Sequence, residues 1–414
     1  MRFLLFILLL VCGNAMAAPS LTALSPNRTS GLAPLAISLT MTATDAAVTD
    51  TFSDLEYRCL FGDESAGNWA YGAKLGSKNF SRSPVVAHTY ETAGTYTITC
   101  TVWNPATNLT DIKTATITVT DYANDLTTVC VGNSAPTAGA NGCPSGATVA
   151  ASSTFSGAVD MLRTGSTTCN SGVCSRVLLQ RGDTFTGAGA GTMIMGSGKM
   201  IGAFGTGAKP ILSTTSTAGQ SPIVDFDGAV SDLRLVDLNL DGNVSGSNSG
   251  ARVGLYASNN GATAITNLLL LRVDVQNIGC GIDFHMDQMS VAVAGLFIQD
   301  STFNNFSATS GNCVIGLRAY TLNGGILGNL FNDTIGGVSE HLVRMHMTQN
   351  TVIAHNTLSN SASNKEMLSV RMTCSQACPP ENSYAQYYGD TGATKFVVVS
   401  DNEMIQNVGS GIQI

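Results

Sequence analysis

Charged side chains are scarce in this chain: Asp, Glu, Lys and Arg make up 12% of its 414 residues, and the formal net charge is −8. A surface so poor in cations lacks the basic patch that binds phosphate, which argues against a nucleic acid partner. Beyond the first seventeen residues no apolar run reaches the roughly 18 to 20 residues needed to cross a bilayer, so no membrane span is expected. Cys-x-x-Cys pairs and closely spaced His ligands are missing, which argues against zinc. The five histidines include none in a nucleophile-elbow sequence, which disfavours a Ser-His-Asp hydrolase.

What is present begins with MRFLLFILLLVCGNAMA: a cation at Arg2, an apolar core from Phe3 to Val11, and the small-x-small site Ala15-Met16-Ala17. This reads as a signal peptide over residues 1–17, cut before Ala18, and implies a secreted or cell-surface protein. Cys12 would mark a lipoprotein if a small residue preceded it, but Val11 stands there. Without the leader the eleven cysteines become ten, which fall as neighbours Cys59/Cys100, Cys130/Cys143, Cys169/Cys174, Cys280/Cys313 and Cys374/Cys378. An even count in an exported chain reads as disulfides. Forty-four glycines, with abundant Ser, Thr and Asn, favour strands and tight turns over helices.

From Leu35 the chain alternates, with Leu35, Ile37, Leu39 and Met41 on one face of a half-buried strand. The pattern returns at Tyr57, Cys59 and Phe61, and at Tyr96, Ile98, Cys100 and Val102, so both cysteines point inward. Short alternating strands between turn residues suggest an antiparallel sandwich, whose two sheets Cys59 and Cys100 are expected to join. At LFGDES (Leu60 to Ser65) and HTYETAGTYTITCTV (His88 to Val102) the chain resembles PKD domains, over about Leu21 to Thr120. The usual family strand carries Trp-Asp ahead of Phe-Gly-Asp. Cys59 and Leu60 stand there instead, which suggests a disulfide in place of aromatic packing. The resemblance implies an Ig-like module over residues 18–121 that acts as a spacer or binding unit. A polar linker is expected over 122–148.

The stretch STFSGAVDMLRTG places Phe155, Val159 and Leu162 on one face of a short helix behind a Ser153 cap. With RVLLQRGDTF and MIGAFGTGAKPIL after it, the segment resembles the entrance to pectate-lyase-like β-helices, where such a helix plugs the open end. Arg181-Gly182-Asp183 spells an integrin-binding tripeptide, a match that three common residues reach by chance. Farther on, apolar stretches ending in Asp or Asn repeat, as in LRLVDLNLDGN, LLLLRVDVQN, GLFIQDSTFNN, TVIAHNTLSN and FVVVSDNEMIQN. Units too short to bury their own apolar face must stack. Residues 149–414 are therefore expected to form a right-handed parallel β-helix, with Asn at left-handed corners and in ladders. The last residues repeat the strand register, so Ile412 and Ile414 are expected to point into an uncapped core, as in a β-helix incomplete at its C-terminus.

In GLYA, GIDFHM, GLRAY, HLVRMHM, LSVRM and GIQI the apolar positions point inward. Alternation sends Tyr256, Asp283, His285, Arg318, Arg344, His346, Arg371 and Gln413 outward. The steps from Arg318 to Arg344 and from Arg344 to Arg371 are 26 and 27 residues, about one coil each, so a column is expected. A cationic stripe suits an acidic polysaccharide, because Arg matches a carboxylate with two parallel hydrogen bonds. Tyr256, Asp283, Arg318 and Gln413 are then candidate substrate-binding residues. A lyase would also need a base, for which His285, His346 and Lys365 are candidates beside Arg344 and Arg371. HLVRMHMTQNTVIAHNTL loosely resembles the arginine-bearing coil of alginate lyases and chondroitin-cleaving β-helix enzymes, although in that pattern the lysine precedes the arginine. The alternative is a non-catalytic surface or adhesive protein whose arginines pair with Asp283, Glu340 and Glu366. Asp237 and Asp241, within a run of aspartates, are candidate Ca²⁺ ligands without a complete calcium-loop spacing.

Overall fold

The computed structural model describes residues 18–122, 125–159, 169–170, 174–187, 191–193, 198–214, 222–226, 230–242, 253–257, 265–284, 293–306, 315–333, 341–361, 365–371, 395–405 and 412–413. The signal segment, His285, Cys313, Glu340, Cys374, Cys378 and Ile414 lie outside them. No helix among the described residues is long and apolar enough to cross a membrane.

The first eight strands are β1 (Ser20–Pro26), β2 (Ser30–Leu32), β3 (Leu35–Thr44), β4 (Glu56–Leu60), β5 (Phe80–Ser81), β6 (Val85–Tyr90), β7 (Gly94–Asn104) and β8 (Leu109–Thr120). They form two sheets, β1-β3-β6 and β2-β8-β7-β4-β5. Leu35, Ile37, Leu39, Met41, Tyr57, Cys59, Phe61, Ile98, Cys100 and Val102 fill the core between the sheets, as their alternation requires. Cys59 and Cys100 are bonded, but not across the sandwich. They face each other on neighbouring strands β4 and β7 of one sheet, with Cα atoms 4.1 Å apart. Alternation fixes which face a side chain takes; it does not say which strand lies beside it.

The rest of the described chain is a parallel β-helix of three sheets. A column sheet carries Pro222–Phe226, Val253–Tyr256, Cys280–Asp283, the first half of Ile315–Leu322, the first half of Val343–Ala354, Leu368–Arg371 and Ile412–Gln413. A docking sheet carries Arg176–Gln180, Met200–Phe204, Val230–Val236, Ile265–Leu271, Val293–Gln299, Gly325–Leu327 and Lys395–Ser400. The third sheet runs from Thr184–Gly187 to Glu403–Ile405. Inward side chains from all three make one continuous core. The first rung begins inside the stretch expected to be linker, because Thr128–Gly132 pairs in parallel with Thr148–Ala151 and with Arg176–Gln180. The expected helix spans Phe155–Val159, with Thr154 rather than Ser153 as its cap: Gly157 N donates to Thr154 Oγ1 at 3.3 Å. Its Ala158 enters the core. Cys130–Cys143 and Cys169–Cys174 are bonded as expected, and Cys280 is also in a disulfide. Ile412 is in register with core Leu368 and 45% exposed.

The coil corners explain the recurring Asp and Asn. One column of left-handed residues runs Asp232, Asn267, Asn323 and Asn350, and another runs Asp237, Arg272, Asp300, His355 and Asp401, all with φ between 47° and 58°. Short polar side chains tolerate this region best. Buried asparagines then stack one coil above the next. Asn329 N and Nδ2 each donate to Asn356 Oδ1 at 2.9 Å, 27 residues on, and Asn356 Nδ2 donates to Asn402 Oδ1 at 2.9 Å, 46 residues on. The ladder thus tolerates a long excursion between two rungs.

The sandwich does not hang from a tether. Its β3 and β6 bury both faces: Ala36, Val85 and Ala87 pack, with Trp69, on Val236, Leu269, Leu271, Phe297, Leu327, Val352 and Ala354 of the docking sheet. Arg234, 1% exposed, reaches out of that sheet and donates from Nε to Pro34 O at 2.8 Å and from Nη2 to Leu32 O at 2.9 Å. Asp232 braces it from Oδ1 at 3.0 Å and also pairs with Arg28. Lys78 meets Asp300 at 2.6 Å, and Arg272 meets Glu91 at 2.6 Å. Trp69 stacks on His355, with ring centroids 4.9 Å apart. It leaves no room at the neighbouring corner, where a Cβ on Gly328 (φ 64°) would lie 2.5 Å from the indole.

Candidate functional site

The column sheet holds most of the outward polar residues named from the sequence. Its register aligns Asp225, Tyr256, Asp283, Arg318, Arg344, Ser369 and Gln413 on successive rungs. Arg318 and Arg344 are direct neighbours. Arg371 is not the third arginine of that row: Ser369, fully buried, takes the slot, and Arg371 stands two residues on, in register with His346 and Tyr320. Counting residues per coil misplaced it, because the true step from Arg344 is to Ser369 and the loop between the rungs sets the register.

Asp283 is 2% exposed and holds Arg318 with two bonds, Nε to Oδ1 at 2.8 Å and Nη2 to Oδ2 at 2.6 Å. A buried carboxylate held in this way is well compensated, and it fixes the guanidinium in one orientation. The ion-pair alternative therefore holds for Arg318. Tyr256, Arg318 and Arg344 are partly exposed, whereas Tyr320 and His346 are buried and stacked, with centroids 5.2 Å apart. Lys365 is exposed on the approach to the Leu368–Arg371 strand. Glu366 pairs with His341, whose Nδ1 lies 2.7 Å from Glu366 O and 3.6 Å from Glu366 Oε2. His341 was missed because it lies two residues ahead of its strand, which begins at Val343, while Tyr320 was readable from the same alternation that exposed Arg318. His285 is outside the described residues, as are the side chains of Arg371 and Gln413.

The two candidate calcium ligands are engaged separately. Asp237 accepts from Arg272 Nε at 2.8 Å and lies 3.4 Å from Arg181 Nη2; Asp241 accepts from Gln276 Nε2 and Asn277 Nδ2, both at 2.9 Å. No group of three His, Cys, Asp or Glu among the described residues could hold a metal ion. The Arg-Gly-Asp tripeptide is likewise part of the coil: Arg181 faces Asp237, and Asp183 Oδ2 accepts from Asn133 N at 2.7 Å.

In the sandwich, the Phe-Gly-Asp stretch and the His-x-Tyr stretch meet in the core. His88 Nε2 lies 3.1 Å from Asp63 Oδ2, stacks on Phe61 at 4.4 Å and meets the edge of Tyr90 at 4.6 Å. Burial pushes the His88 imidazole below its ordinary range, against the pull of Asp63. Residues 25–117 match the PKD domain family. Among curated proteins none matches the chain. PKD domains are typical of extracellular proteins and commonly serve adhesion or carbohydrate binding, and the disulfides fit an extracellular location. Here the PKD domain also braces the docking sheet from Val236 to Ala354, leaving the column sheet on another side.

Proposed function

We propose that this is an extracellular glycan-binding protein whose β-helix presents Arg318 and Arg344 to an acidic polysaccharide. The observation that supports it most is their direct register on adjacent rungs, roughly 4.8 Å apart across parallel strands. Asp283 orients the Arg318 guanidinium beside Arg344, with Tyr256 two rungs from Arg318 offering a ring and a hydroxyl. Cleavage by β-elimination is a weaker reading. Of the base candidates, His346 is buried and stacked and Lys365 is exposed, neither in the Arg318–Arg344 row, and His285 lies outside the described residues. A purely adhesive role is favoured by the burial of Asp283, Tyr320, His346 and Ser369, which leaves a short exposed polar strip among the described residues.

Retention of the secreted protein in gels cast with polygalacturonate, alginate or chondroitin sulfate tests the proposal, with the ultraviolet absorbance of unsaturated products followed in parallel. Binding that Arg344→Gln weakens, without product, supports glycan binding. Product formation would restore the lyase reading. Free migration through every acidic polymer would defeat both.

A further inference from the structure

The PKD domain docks through its three-stranded sheet, so its five-stranded sheet turns an outer face to solvent. On that face Thr95 stands opposite Thr118, Thr97 opposite Thr116, and Thr99 opposite Thr114. The rows lead along β7 past Thr101 to Trp103, one of only two tryptophans in the chain. Trp103 is partly exposed, yet its ring is fixed. Its Nε1 donates to Asn108 Oδ1 at 3.2 Å, and the Arg58 guanidinium lies 5.5 Å from the ring centroid. Asn108 is itself held in the left-handed region at φ 58°, its N donating to Asn104 O at 2.8 Å. Trp103, Arg58, Thr101, Asn108 and Thr110 wall a cleft of about 300 Å³. None of these five side chains belongs to the sandwich core, which β7 fills from its other face with Ile98, Cys100 and Val102.

We propose that this cleft is a second glycan subsite, for a uronate-containing pyranose chain; the inference rests on the glycan reading above. A pyranose offers a face of polarised C–H groups and a rim of hydroxyls. The first suits the negative face of an indole, and the second suits the Thr101 and Thr110 hydroxyls and the Asn108 amide. Arg58 supplies the cation for a uronate carboxylate. Its pairing with Glu56, at 3.6 Å between side chains about half exposed, is weak and easily exchanged. A ring already pinned loses little freedom on binding, which is where affinity is usually lost. From Trp103 to Thr95 the strand rise gives about 27 Å of flat, hydroxyl-bearing surface for the rest of the chain. A protein partner would need a contiguous apolar patch. Leu60 and Ile112, the large exposed apolar side chains on this face, are separated by Thr99 and Thr101.

Trp69 is 5% exposed inside the docking interface, so Trp103 is the tryptophan that a ligand on this face would perturb. Titration of the full chain with polygalacturonate should give a saturable change in tryptophan emission. Trp103→Ala should abolish that change and raise the dissociation constant about tenfold, while Trp103→Phe keeps most of the affinity. Arg58→Gln should weaken binding of polygalacturonate but not of the same polymer after carboxyl reduction. Wild-type affinity in Trp103→Ala, with affinity lost in Arg344→Gln, would overturn the subsite and leave the β-helix reading standing. No retention of the wild-type chain on any acidic polymer would overturn both.

Discussion

Arg234→Met is the sharpest test of how the two modules are joined. The guanidinium is buried to 1% exposure and supplies donors to Pro34 O, Leu32 O and Asp232. Methionine fills much of the volume but donates nothing. A buried acceptor stripped of its donor costs about 1–3 kcal/mol, and Asp232 keeps Arg28, so the summed loss should be about 3–5 kcal/mol. The loss falls on docking rather than on either core, because the two carbonyls that lose their donor, Pro34 O and Leu32 O, belong to the PKD domain. Trp69, stacked on His355 at the interface, reports docking once Trp103 is replaced by Phe. With a urea dependence of about 1–3 kcal/mol per molar, the midpoint of the Trp69 transition should fall by about 1–5 M. A midpoint unchanged within error would refute the carbonyl clamp and leave the apolar patch alone to hold the modules.

Docking should also weaken in acid. Burial holds the His355 imidazole below its ordinary range, so as pH falls below about 6.5 the undocked histidine takes a proton that the docked one resists; His355→Gln should flatten this loss in Trp69 emission. Asn356→Ala removes an amide that accepts from Asn329 and donates to Ile326 O at 2.8 Å, and should cost about 2–4 kcal/mol of β-helix stability in urea unfolding followed by circular dichroism. Replacing Cys130 and Cys143 by serine opens a loop of 13 residues at the first rung and should cost about 3 kcal/mol, read as a lower melting temperature.

The strands, their inward faces and the bonded cysteine pairs were legible because alternation reports burial directly. Neighbour relations were not. The sequence puts Cys59 and Cys100 inward equally well whether they sit in one sheet or two. It gives Arg371 the wrong row, since the rung after Arg344 is reached at Ser369. The corners were half legible: Asn and Asp announce the left-handed region, but Arg272 and His355 occupy it as well, held by partners in the PKD domain. The docking interface left one signal. The unbroken apolar start of VVAHTY does not alternate, and a strand buried on both faces is expected to read so. Nothing in LRLV marks Arg234 as the residue that crosses between modules, because its partners are backbone carbonyls, which any sequence supplies.

Rigid docking also bears on how two glycan subsites would act. If the Trp103 cleft and the Arg318–Arg344 row both take the same polymer, the second contact is intramolecular, and its gain depends on the span being fixed. A PKD domain held by Arg234, Lys78 and the Trp69 stack keeps that span constant, whereas a tethered one would spread it over many distances. Short uronate oligomers should therefore bind the wild type and Arg234→Met alike, each at a single subsite. Long polymers should bind the wild type more tightly by a factor that Arg234→Met reduces. Equal losses for short and long chains would mean that the substitution damages a subsite directly. No difference at either length would mean that the two modules bind, if they bind, without each other's help.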